Sequence, residues 1–534
     1  MKKFQVEYSV KNIPLPKKNE YLKQLIDSVS KFVNNISWKA HFFLNPDAKQ
    51  TEFKTYGFKT ENAAPQVREL KPFIDDLYEL IRHIKFKGHS NHFQETMKED
   101  LKTIKTSSDL LVQADKTRNY YSLKSDDYSK LVVEAVTKEY KKCSEEVVNA
   151  VNKEAFEIAQ ELKLENRMEA YKVANCYVSL KDHKPEFPSK IKVRLINPTR
   201  SDVGKVSKQL LQKIVKDIQE KTGFNLWHDT KAPIDWFKGL DNKKKLTFFQ
   251  FDIMEYYPSI SVSLLEKTLE FCRKYVKIDE QTTKIILNSR KTFLYHQDNP
   301  YRKKSADINN NSHFDVPMGA SDSAEVSELT GLYLLSQIHQ VFPLEACGLY
   351  RDDGLAVTSC PPNQLEDMRD SLVKIFRENG LKITTLHNIK ICDFLDVRMD
   401  LTSGTTRPFR KKNDQPLYIN TSSNHPPSVL KSVPKTVETR ISMLSSTEEI
   451  FEEEKMVYQR ALQNSGYRTE LQYRPSTTAK KGRKRMKKIV WFNPPFSKTV
   501  TTNVGQTFLS LIDRHFPKGS NLAKICNRSN IKVS

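Results

Sequence analysis

No stretch of this chain approaches 18 consecutive apolar residues, which excludes a membrane-spanning helix. Its first residues, MKKFQVEYSVKNIP, carry early lysines but no apolar core, so no secretory signal peptide is expected. Cysteine is scarce and scattered: Cys143, Cys176, Cys272, Cys347, Cys360, Cys392 and Cys526 form no CxxC pair. That spacing argues against a zinc site and a disulfide framework, and the expectation is reduced thiols in an intracellular protein. Internal repeats are absent, as are GxxxxGK[ST], HExxH and GxSxG, so nothing suggests a P-loop enzyme, a zinc protease or a serine hydrolase.

What is abundant is positive charge. Lys and Arg number 87 against 65 Asp and Glu, a net charge of +22. An excess of this size implies a polyanionic partner, nucleic acid before membrane. Hydrophobic residues at 38% and aromatics at 10% argue for a folded chain. Its 534 residues suggest roughly three or four domains.

Residues 1–110 read as helical; in LKPFIDDLYELIRHIKF, Phe73, Leu77, Leu80 and Ile84 recur at helical spacing. Between 166 and 245, two β-prone runs, Tyr177–Leu180 and Ile191–Ile196, flank a loop rich in lysine and arginine. TFFQFDI alternates so that Phe249, Phe251 and Ile253 face one way and Asp252 the other. A helix follows, for which Ser263 and Glu266 are the expected capping box. Another helix is expected from Ser323, then GLYRDDGLAV, a helix ending near Gly380, the strand pair in CDFLDVRMDL, and a helix capped at Ser445 and stopped at Gly466. From Arg474 to Lys488 the chain is basic without an acid.

GLYRDDGLAV taken alone reads as a hairpin with Asp353-Gly354 as its turn. Asp252, at the end of another β-prone run, changes that reading. Three carboxylates brought together by a sheet would repel by about 4 kcal/mol per pair at about 4 Å in an effective dielectric of about 20. A divalent cation removes the penalty, and Mg²⁺ suits a few carboxylates plus water and phosphate. Two such ions would serve phosphoryl transfer.

The ordered set resembles the reverse transcriptases, above all those of Penelope-like retroelements. FDIMEYYPSI, VPMGASDSAE and YRDD are similar to three successive palm motifs, DFLDV to a primer-gripping turn, and LKDHKP with VRLINP to fingers motifs. ADKTRNYYSL resembles an Asp-Lys-Gly segment upstream of those polymerases, and SNHPPSVLKSVPKTVETRIS with SGY resembles the segment after their palm. The likeness spans about residues 110 to 470. Thr117 stands where that segment has glycine, Met318 where many reverse transcriptases have glutamine, and Arg351 is unusual within YxDD. No GIY-YIG nuclease pattern is present.

The resemblance implies an α+β right-hand polymerase, with fingers, an antiparallel palm and a helical thumb behind a helical N-terminal extension. The expected divisions are 1–110 for the extension, 111–245 for fingers and the Asp-Lys segment, 246–405 for the palm, 406–475 for a thumb-like region, and 476–534 for a basic tail. It implies an RNA-directed DNA polymerase of a retrotransposable element, a nucleotidyltransferase using two Mg²⁺ ions (or Mn²⁺), deoxynucleotides, an RNA template and a DNA or RNA primer. Asp252, Asp352 and Asp353 become catalytic metal ligands, with the backbone carbonyl of Ile253. Arg194, Lys181, Lys192, Tyr257 and Gly319 become nucleotide-binding residues, and Phe394, Leu395, Asp396 and Val397 the primer grip. Lys480, Lys481, Arg483, Lys484, Arg485, Lys487 and Lys488 suit nucleic-acid contact or nuclear import, so the expected location is the nucleus. Two rival readings stand beside this one. One is an RNA-dependent RNA polymerase, and the other is a retroelement-derived protein that binds nucleic acid without catalysis.

Overall fold

The computed structural model describes all residues except 1, 5–7, 50–55, 61, 90, 118, 168–172, 202, 305–312, 412–413 and 476–488. At its centre lies a four-stranded antiparallel sheet in the order Cys347–Tyr350, Asp353–Thr358, Thr247–Ile253, Ile383–Ile389. Alternation along Thr247–Ile253 feeds two cores. Phe249, Phe251 and Ile253 pack against helices Gly204–Thr222, Val262–Arg273, Ser323–Ile338 and Pro362–Glu378. Phe248 faces the opposite way, with Leu355 and Val357, onto Trp227, Phe237, Phe394 and Met399. A strand buried on both faces reads as a continuous apolar run, which explains the phenylalanine pair.

That second face ends at Gln250, whose amide donates to the Asp393 carbonyl at 3.3 Å. One step further along the same face stands Asp252, exposed beyond the end of the core. The helix Ser323–Ile338 is buried nearly all round and starts on a fully buried ion pair, Arg290 with Asp322. This anchors the loop carrying Gly319.

The expected fingers hairpin forms from Tyr177–Leu180 and Val193–Ile196. A parallel bridge from Ala114 to Leu180 docks on it the sheet of Lys2–Phe4, Leu110–Gln113 and Tyr120–Leu123. The α+β class, the antiparallel palm-type sheet and the helical N-terminal region are as expected.

Three local expectations are corrected. The cap of Val262–Arg273 is Ser261, whose Oγ accepts from the Leu264 N–H at 3.1 Å, because the chain is already extended there after the Tyr256–Ser259 turn. The cap of Glu448–Asn464 is Thr447, since the Ser445 N–H is used to close the preceding helix on the Ile441 carbonyl. The third concerns the expected tail. Val490–Phe492, Val504–His515 and Ile531–Val533 are folded, and share one core with helices Lys18–Leu44 and Lys71–Arg82. Phe492 and Phe508 stack at 4.3 Å between ring centroids, with Phe32 edge-on to both. Residues 490–533 therefore belong with the N-terminal helices, held by an apolar cluster too large to leave in water. Among the described residues, no helix is long and apolar enough to cross a membrane.

Candidate active site

Two strands far apart in sequence meet at Asp252 and Asp353, which face each other across the ladder, with Thr384 on the other side of Asp252. Facing residues of an antiparallel pair project to the same side of the sheet, so both carboxylates stand above one surface. The hairpin turns at Arg351-Asp352, with Tyr350 paired to Asp353, so Asp353-Gly354 is in the strand and not the turn. Arg351 takes the left-handed conformation, φ +53°, and the Ile253 N–H donates to the Asp352 carbonyl at 2.9 Å, pinning the tip to the Asp252 strand. Gly354 is required for another reason: a Cβ there would lie 2.0 Å from the Phe251 ring. At Gly348 a Cβ would lie 2.2 Å from Trp227. Both glycines let aromatic rings cover the sheet.

Burial, then the charge of Asp352, pushes the Asp353 carboxyl up to about 6. Asp252 is raised by the same two causes in the same order, and a side-chain hydrogen bond links it to Asp353. None of the three forms an ion pair among the described residues. Nor do the described residues gather three His, Cys, Asp or Glu groups closely enough to hold a metal ion outright. The donors nevertheless fit one: crowded hard carboxylate oxygens are what a divalent cation would bind, offsetting their mutual repulsion. Asp252, Asp352, Asp353 and the Ile253 carbonyl are the groups that could hold it.

The hairpin Tyr177–Leu180 and Val193–Ile196 carries the expected fingers cations. Arg194 Nη1 pairs with Asp115 at 3.1 Å, and its Nε is buried with no hydrogen-bond partner. Lys181 lies beside it, its ammonium pulled down by burial and then by the Arg194 charge. Lys192, by contrast, is paired with Glu186 at 2.6 Å. Tyr257 is half-buried on the core edge, within hydrogen-bonding reach of Ser327 and close to Asp352 and Arg351. Gly319 has a backbone neighbour that the sequence did not reveal. At φ +115° its missing Cβ would strike the Asn197 carbonyl oxygen at 2.3 Å. The Asn197 N–H also donates to the Met318 carbonyl at 2.8 Å. What approaches this glycine within the chain is the backbone at Asn197.

The DFLDV turn is the tip of the hairpin Ile391–Phe394 and Val397–Asp400, with Leu395 left-handed at φ +56°. Phe394 and Val397 are buried in the core and Leu395 packs beside them. Asp396 accepts from Thr230 Oγ1 at 2.5 Å and pairs with Arg440 of helix Pro427–Leu444. This turn fastens the helical region to the palm. The basic residues Lys480, Lys481, Arg483, Lys484, Arg485, Lys487 and Lys488 lie outside the described residues.

Thr117, Asn119 and Tyr121 all donate to the buried carboxylate of Asp182, at 2.7, 2.8 and 3.0 Å. Thr117, the departure from Asp-Lys-Gly, is thus a lock between that segment and the LKDHKP loop. The lock holds Lys116 and Lys184 together, and both charges act on Asp252. Lys411 joins them beside Asp353. His183, within this group, is pushed down to about 4 by burial and then by Lys411, Lys116 and Lys184. Sequence reasoning singled out the Asp-Lys segment without giving it a task. Lys411 had no local signal at all.

A family model described as an animal helix-turn-helix domain matches residues 417–474, the region of helices Pro427–Leu444 and Glu448–Asn464. This is too small a share of the chain to place the whole. No curated protein matches significantly. Among solved structures, telomerase from Candida albicans, in complex with a TWJ fragment of telomeric RNA, is similar at 13% identity and a TM-score of 0.45. The match covers 84% of this chain and 83% of that one. Apo telomerase from Candida tropicalis is similar at 11% identity and a TM-score of 0.43, covering 84% and 86%. The RNA-dependent RNA polymerase of a human picobirnavirus is similar at 10% identity and a TM-score of 0.37, covering 85% of each. At TM-scores below 0.5 these likenesses carry no weight for what this chain does.

Proposed function

We propose that this chain is an RNA-directed DNA polymerase of a Penelope-like retrotransposable element, adding deoxynucleotides to a primer 3′-hydroxyl on an RNA template. One observation supports the reading: Asp252 and Asp353 face each other at the open end of a sheet, with Asp352 at the adjoining tip and the charges of Lys116, Lys184 and Lys411 acting on the facing pair. Acids with lysine charges beside them suit a substrate that is a metal–polyphosphate complex.

Asp252, Asp352 and Asp353, with the Ile253 carbonyl, are assigned to two Mg²⁺ ions, for which Mn²⁺ could substitute. When bound, such ions lower the pKa of the attacking hydroxyl and neutralise the leaving pyrophosphate. Arg194 and Lys181 are assigned to orient the triphosphate by charge-assisted hydrogen bonds. Tyr257 is assigned to the sugar, where its ring would exclude a 2′-hydroxyl. The helix pair within 417–474, fastened to the palm through Arg440 and Asp396, is assigned to the primer–template duplex. The Lys480–Lys488 run is assigned to phosphate contact and nuclear import.

RNA-templated primer extension tests this reading, run with deoxynucleotides and with ribonucleotides in parallel. Mg²⁺-dependent extension with deoxynucleotides is expected. A preference for ribonucleotides would move the chain to the RNA polymerases, and binding without extension by either set would leave a non-catalytic nucleic-acid-binding protein.

A further inference from the structure

The segment Asp115-Lys116-Thr117 is built into the fingers by main-chain bonds. The Asp115 N–H donates to the Leu180 carbonyl at 2.8 Å, next to the Ala114–Leu180 bridge. From that anchor the Asp115 carboxylate reaches Arg194 Nη1 at 3.1 Å. The Thr117–Asp182 hydrogen bond, at 2.7 Å, fixes Lys116 close to Lys184, two residues beyond Asp182. From the other side, the Phe409 N–H donates to the Asp396 carbonyl at 2.8 Å, and this brings in Lys411 two residues later. Three chain segments thus bring Lys116, Lys184 and Lys411 within range of one another's charges, beside Asp252 and Asp353.

We propose that Asp115 is a positioning residue for Arg194, and that Lys116 and Lys411 form, with Lys184, a polyphosphate-binding site that receives the nucleotide's β and γ phosphates; this rests on the polymerase reading of the same site. The chemistry is that of a hard polyanion recognised by compact point charges. Packing ammonium groups side by side is unfavourable unless an anion lies among them. Burial, then the neighbouring charges of Lys116 and Lys184, pull the Lys411 ammonium down, and the Asp353 charge offsets this only in part. Asp115 takes one face of the Arg194 guanidinium and leaves the buried Nε unpaired, so the carboxylate sets the direction in which the remaining donors point.

Binding of inorganic tripolyphosphate, followed by isothermal titration without metal or nucleic acid, tests the lysine site independently of turnover. Lys116→Ala and Lys411→Ala should each weaken binding about 10-fold, the factor that one lost charge-assisted contact represents. Lys23→Ala, on the exposed side of helix Lys18–Leu44, should leave it unchanged. Unchanged affinity in both lysine variants, or no binding by the wild-type protein, overturns the lysine site whatever the extension assay shows. Wild-type binding that is lost in the variants, in a protein that extends no primer, supports the site and removes the polymerase reading instead.

For Asp115 the readout is a split in kinetic constants. Asp115→Asn should raise KM for the nucleotide about 10-fold with kcat changed less than about 3-fold, and Asp115→Glu should recover most of the loss. Equal losses in kcat for both variants, with KM unmoved, would overturn the positioning role.

Discussion

Asp252 and Asp353 sit directly opposite each other on neighbouring strands, a like-charged pair where a sheet would ordinarily place opposite charges. Asp353 in particular is held up to about 6, by burial first and by Asp352 second.

That position has a consequence for stability. A carboxyl raised in the folded state binds its proton more tightly there than when unfolded. The native protein therefore loses stability as pH rises from the unfolded value of 3.8 through about 6, and bears the full penalty above that. Asp353→Asn removes the penalty. In the absence of divalent metal it should stabilise the fold by about 1–3 kcal/mol at pH 8, with the gain vanishing near pH 4. Thermal melts across that range check this, and a variant destabilised at pH 8 would contradict it.

Gly354 is expected to tolerate no side chain. Gly354→Ala would drive a Cβ into the Phe251 ring, 2.0 Å away in the present packing. Overpacking of this kind costs about 1–3 kcal/mol. Denaturant unfolding should show the loss, and Phe251→Leu in the same chain should return part of it. Additive losses in the double variant would mean that the ring is not the obstacle.

Tyr257 should set the sugar preference. It lies beside Ser327 and close to Asp352. Admitting an extra oxygen against a packed ring costs about 1–3 kcal/mol, or discrimination of roughly 5- to 150-fold. Tyr257→Val should raise ribonucleotide incorporation by about that factor while altering deoxynucleotide use less. Single-nucleotide extension with each sugar reads this out. Full selectivity in the variant would place the gate elsewhere.

The basic run should act through phosphate alone. Neutralising Lys480, Lys481, Arg483, Lys484 and Arg485 should reduce the slope of log K against log salt by roughly 2, if about half of them meet phosphates, with similar losses on every sequence. Titrations at several salt concentrations measure it. An unchanged slope would assign the run to import or linkage.

Period-two alternation was enough to place Asp252 on the open face, because Phe249, Phe251 and Ile253 have no other way to be buried together. The order of motifs then pointed to its partners. Helix starts were less legible: Ser261 and Ser263 both have capping chemistry, and only the preceding turn decides which is extended. Gly319 was rightly singled out, yet its partner was invisible, since the clash is with a backbone carbonyl from another segment. The same limit hid Lys411 and the union of residues 490–533 with the N-terminal helices. Phe492 and Phe508 show apolar periodicity, but nothing local says that Phe32 and Phe73 will cover them.

Extension of a primer on an RNA template by the wild-type protein and by Asp352→Asn, each with and without Mg²⁺, tests the central claim most directly. Wild type should extend with deoxynucleotides only when Mg²⁺ is present. The variant should fold and bind the primer–template as wild type does, yet extend on the order of 100-fold more slowly or not at all. Undiminished Mg²⁺-dependent extension by a folded Asp352→Asn protein would contradict the assignment of these aspartates to polymerase chemistry.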